Sequence, residues 1–122
     1  MNIFLWILQI LLALMFLFHA RLMFSPQASQ VSQMPYILAI PTPFRRAIAA
    51  AEALGAIGLV LPALTHILPW LTPLAAVGLV IVMAAAVVFH IPRREYTNIG
   101  LNLILLVLAA VIAYGRLVVA PF

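Results

Sequence analysis

FRRAIAAAEALGAIGLVLPALTHILPWLTPLAAVGLVIVMAAAVVFH, residues 44–90, is two apolar runs divided by the short break THILP at 65–69. Each run is about twenty residues long, enough for an α-helix to cross a hydrocarbon core of roughly 30 Å. The prolines sit where helices tolerate them. Pro43 precedes the first run, Pro62 marks its last turns, and Pro73 falls in the first turn of the second, where a missing N–H costs little. Trp70 stands where an interfacial aromatic anchor belongs. A third run lies upstream, from Ile3 to Leu22, and a fourth downstream, with Thr97 as a plausible N-cap. The pattern predicts an all-α integral membrane bundle of up-down topology. It is a single transmembrane domain over residues 1–122, with helices at about 3–22, 44–64, 70–90 and 97–119.

Composition agrees. The chain is 68% hydrophobic and only 7% charged, against about 25% charged in soluble domains. A small soluble domain has no means of hiding so much apolar surface. The net charge of +4 comes from arginines separated by apolar runs, which is not the footprint of a nucleic-acid binder. There is no cysteine, which excludes disulfides, thiolate metal sites and thiol redox chemistry by the chain itself. No Lys or Arg precedes the run Met1–Ala20, as a secretory signal requires, so this segment reads as a retained span.

The one long connection, around SPQASQVSQMPYILAIPTP, is rich in Ser, Gln and Pro. Pro35, Pro41 and Pro43 argue against a continuous helix there, and Tyr36, Ile37 and Leu38 are apolar enough to enter the interface. Arg21, Arg45 and Arg46 flank this connection, and Arg93 and Arg94 lie in the turn IPRREY. The opposite side carries only Arg116. The positive-inside rule puts loops 23–44 and 91–96 in the cytoplasm and both termini outside.

Polar residues gather at the Arg-rich ends of the helices. Three-and-four spacing puts Gln9, Leu12, Phe16 and His19 on one stripe, Arg45, Glu52, Ala56 and Leu59 on a second, Ala76, Leu79, Met83, Ala86 and His90 on a third, and Asn98, Asn102, Leu105, Ala109 and Arg116 on a fourth. Stripes that point inward bring His19, Glu52, His90 and Asn102 to one polar pocket, with Asn98 as a fifth candidate. Glu52 is the most informative of these. A carboxyl facing lipid costs a few kcal/mol, so it is expected to face inward and find a partner among Arg21, Arg45, His90, Arg93, Asn98 and Asn102. Its role is either a proton acceptor or ligand-binding group, or one half of a structural ion pair. His19 and His90 are also at home in the headgroup zone, and Asn98 and Asn102 as helix–helix glue. Paired histidines are the type that ligates haem, but no other residue adds to a haem reading. A proton-coupled carrier lacks its usual inverted repeat. No nucleotide loop, zinc motif or catalytic triad appears, so neither a metal nor autonomous catalysis is expected.

LWILQILLALMFLF, the 44–90 stretch, IPRRE, TNIGLNLILL and YGR together resemble the DoxX-like family of small four-helix membrane proteins, over nearly the whole chain. Where the family's first helix commonly ends in Gly and Lys, this chain reads FHARLMF, with Ala20 and Arg21. The resemblance implies a membrane bundle, and its relatives are linked to quinone-reducing and oxidative-stress assemblies. The expected function is therefore an accessory subunit of a redox-linked, quinone-associated membrane complex. The alternative is a binding module for a quinone or lipid-like molecule that uses the Glu52 pocket. Expected partners are membrane lipid and other membrane subunits or further copies of the chain, with no nucleic acid and no required cofactor.

Overall fold

The computed structural model describes residues 1–26 and 36–122. The Ser/Gln-rich stretch 27–35, with Pro35, lies outside the described residues. Four long helices form the molecule: α1 (Asn2–Phe24), α2 (Thr42–Thr65), α3 (Leu71–His90) and α4 (Tyr96–Tyr114), the last continued by a π-helical turn, Gly115–Val119. A single helical turn, Tyr36–Ala39, stands between α1 and α2. Each long helix is long and apolar enough to cross a membrane, and the chain is an all-α, multi-pass membrane bundle.

Local chemistry sets the ends. α2 begins at Thr42, two residues before the expected start, because Pro43 fits the first turn, where no N–H is needed. It ends at His66, whose φ of 57° is the left-handed conformation that stops a helix. The α4 start corrects the expected cap. Glu95, not Thr97, occupies that position, because the turn after α3 ends there, and Thr97 already lies within the helix.

α1 packs along α2, α2 against α3 and α3 along α4, while α4 meets α1 more lightly. The centre is a continuous apolar core that includes Leu12, Phe16, Ala56, Leu59, Ala76, Leu79, Met83, Ala109 and Ile112. All but Ile112 lie on the four expected stripes, and Ile112 stands one turn beyond Ala109. The outward faces are just as apolar, with Leu14, Leu54 and Val88 largely exposed. Lipid, not water, is the medium that suits such a surface. In lipid, the fit between helices rather than apolar burial holds them together. One close fit is between α2 and α3, where a Cβ added to Gly58 would stand 2.7 Å from the Ala75 Cβ.

At the end of the bundle away from Glu52, polar side chains close a second cluster. Gln9 Nε2 donates to the Leu59 carbonyl at 2.6 Å, one turn before Pro62, and Gln9 Oε1 accepts from Arg116 Nε at 2.7 Å. Arg116 also donates to Asn2 Oδ1 and to the Ala120 carbonyl, and its guanidinium lies against the rings of Trp6 and Phe122. Nearby in the sequence of α3, the fully buried Thr72 hydroxyl has no hydrogen-bond partner among the described residues.

Candidate functional site

Glu52 sits ten residues into α2, about 15 Å along the helix from Thr42, at the rise of a regular helix. It is 1% exposed and points into the bundle, among small neighbours that let α1 come close. It is hydrogen-bonded to His19, whose Nδ1 stands 2.7 Å from Glu52 Oε2. The antiparallel packing of α1 on α2 brings the two level. His19 was not among the partners expected from sequence, because pairing across helices depends on relative height, which spacing within one helix does not give.

The arginines expected as charge partners lie elsewhere. Arg45 is buried, and its Nε donates at 2.6 Å to the Met23 carbonyl, one of the unpaired carbonyls that end α1. Arg93 Nε donates to Glu95 Oε1 at 2.7 Å, and its guanidinium lies over the Phe89 ring. Arg21 is exposed on α1.

His90 ends α3 and is 4% exposed. Its Nδ1 lies 2.9 Å from Glu95 Oε1, so the one carboxylate oxygen receives both His90 and Arg93. Burial pushes the Glu95 carboxyl up, but hydrogen bonds with His90 and Arg93, and their charge, outweigh it and hold it below its ordinary value.

Between the two histidines lies a cavity of about 460 Å³, inside the range of small-molecule sites. His19 and Glu52 reach it from the α1–α2 side, His90 and Asn102 from the α3–α4 side. The rest of its lining is apolar and includes Met23, Phe44, Ile81, Met83 and Phe89. Asn98, half-buried a turn before Asn102, does not line it. Four of the five residues expected in a polar pocket are thus brought to one space. The apolar lining was not foreseen, because Phe44 or Ile81 in the sequence reads like any lipid-facing residue.

Among the described residues, no group of three or more His, Cys, Asp or Glu side chains is placed to hold a metal ion. What the cavity offers is a hydrogen-bonded acid–imidazole pair at one pole and an imidazole and a carboxamide at the other. These groups both donate and accept, so they suit a neutral head group with carbonyl or hydroxyl oxygens.

Residues 7–112 match the model of the DoxX-like family. The chain belongs to the DoxX-like family. The match spans α1 through most of α4 and includes all four polar cavity residues of this DoxX-like chain. Comparison with curated proteins and with solved structures gives no match.

Proposed function

We propose that this DoxX-like protein binds a small membrane-soluble molecule, quinone-like or lipid-like, in the Glu52 cavity. The observation that carries the reading is the convergence of His19, Glu52, His90 and Asn102 on one cavity whose other walls are apolar. Largely apolar walls with a few fixed polar groups are the usual makeup of a ligand site. The His19–Glu52 pair holds an exchangeable proton at the cavity wall, which suits a ligand whose oxygens gain or lose protons. The test is direct binding of a benzoquinone to the purified protein in lipid nanodiscs. Glu52→Leu removes a buried hydrogen-bonding group worth about 1–3 kcal/mol, so affinity is expected to fall about fivefold or more. Unchanged affinity in that variant sinks the reading.

The chain has no cysteine, so a redox reaction of such a ligand would draw its electrons from elsewhere. This favours a role as the ligand-holding accessory subunit of a redox-linked membrane complex, with other membrane subunits or further copies of the chain as partners. Purification from native membranes in a mild detergent tests this, and a lone monomer counts against it. In this reading the Arg-bearing loops face the cytoplasm and the termini lie outside. Single cysteines introduced at Arg94 and at Leu68, labelled by a membrane-impermeant maleimide in intact cells, test the orientation. Labelling at position 94 and not at 68 refutes it.

A further inference from the structure

The cavity mouth lies on the lipid-facing surface of the bundle. Its lining includes residues from the outer faces of both α2 and α3: Phe44 is 68% exposed and Ile81 64% exposed, with Ala85 exposed beside it. Ile81 precedes the end of α3 by nine residues, about 13 Å along the axis and close to the middle of the span. With Phe44 only two residues into α2, the mouth runs from the loop end of the bundle up to the level of Ile81. Among the described residues, the lining beyond the start of α2, toward the loop end, is Ala39, Ile40 and Pro41, all apolar. The deep wall is different. Glu52 and His90 are both nearly inaccessible, and both line the cavity.

We infer that the cavity is loaded sideways from the bilayer, through the gap between α2 and α3. Its ligand is an amphiphile whose hydrogen-bonding head reaches Glu52 and His90 while its apolar tail lies in the gap and continues into lipid. This inference rests on the cavity reading above and adds the tail and the route. A head without a tail fills only the inner part of the site. A tail laid between Phe44, Ile81 and Ala85 covers apolar side chains that face lipid in the empty protein.

The probes are a dimethoxy-methyl-benzoquinone bearing a decyl tail and the same ring without the tail. Binding is measured by equilibrium dialysis against nanodiscs, above the uptake of empty discs. Ala85→Trp and, separately, Ile81→Trp place a bulky ring in the gap. Both positions face outward, so neither substitution adds volume to the core. Each variant is first matched to the parent by far-ultraviolet circular dichroism and elution volume. Leu14→Trp, on the outer face of α1, is the control. The tailed probe is expected to lose at least about tenfold in affinity in both gap variants and nothing in the control. The tail-less ring is expected to bind all four proteins alike. Unchanged binding of the tailed probe in both gap variants overturns the lateral route. The cavity reading then stands only if the tail-less ring still weakens in Glu52→Leu. If neither probe binds the parent above empty discs, the cavity reading falls and the lateral route with it.

Discussion

Removing His19 should cost more than removing Glu52, although the two share one hydrogen bond. The asymmetry follows from exposure. The Glu52 side chain is 2% exposed and that of His19 32%. In His19→Leu the carboxylate loses the partner the structure gives it, at a depth where water does not replace it. Leaving a buried carboxyl without its hydrogen-bond partner costs about 2–3 kcal/mol, the upper part of the range for a buried polar group. In Glu52→Leu the group left behind is an imidazole with a third of its surface accessible, which has room to turn toward another partner. The loss there falls at the low end of the range for an unpaired polar group, about 1–2 kcal/mol. The double variant, with leucine at both positions, removes the stranded carboxylate as well and should be more stable than His19→Leu alone. Equilibrium unfolding in mixed micelles of mild detergent and dodecyl sulfate, followed by helical circular dichroism, measures all four proteins. The reasoning fails if Glu52→Leu is as destabilising as His19→Leu, or if the double variant is no more stable than the His19 single variant.

The remaining expectations use the same unfolding assay. Gly58→Ala drives a Cβ to 2.7 Å from the Ala75 Cβ, a contact no side-chain rotation relieves, so it should destabilise by about 1–3 kcal/mol. Gly78→Ala meets nothing within 4 Å and should stabilise by up to about 1 kcal/mol; equal effects at the two glycines would refute the close α2–α3 fit. Thr72→Val keeps the shape and removes a buried hydroxyl without a partner, so stability should rise or stay level, and a loss above about 1 kcal/mol would show that the hydroxyl is satisfied. Glu95 binds its proton less readily folded than unfolded. Its contribution is therefore complete above the ordinary carboxylate range and is lost as pH falls through the lowered folded value. Stability measured across that acid limb should fall less steeply in Glu95→Gln than in the parent, and parallel curves would contradict the pairing with His90 and Arg93.

The spans were legible because lipid selects long apolar runs, and prolines and the charged turn mark where they stop. The inward stripes were legible for a related reason: Glu52, Leu59, Leu79, Met83 and Ala109 repeat at helical spacing, and all are buried. What the sequence hides is height and neighbour. Nothing within α1 says that residue 19 stands level with residue 52. Arg45 bonds a backbone carbonyl, a partner that no pattern of side chains displays. The stripes turn Gln9 and Arg116 inward but do not pair them, because 107 positions separate them, and only the closed bundle puts them 2.7 Å apart. The cavity was half legible. Its polar groups stand out against an apolar sequence, whereas its apolar walls do not.

That last contact has a consequence for how the protein is made. Gln9 leaves the ribosome 107 residues before Arg116, and Asn2 114 residues before it. Throughout that interval α1 must reside in the bilayer with its amide unanswered by the guanidinium. α4 in turn has to carry a cation across or into the membrane before any acceptor receives it. Closure of this contact thus joins α1 to α4, and it waits for Arg116 to be synthesised. Chains stopped a few residues before Arg116 should be inserted yet unlatched, with α1 open to exchange against lipids, to capture by another copy, and to the proteases that survey half-assembled membrane proteins.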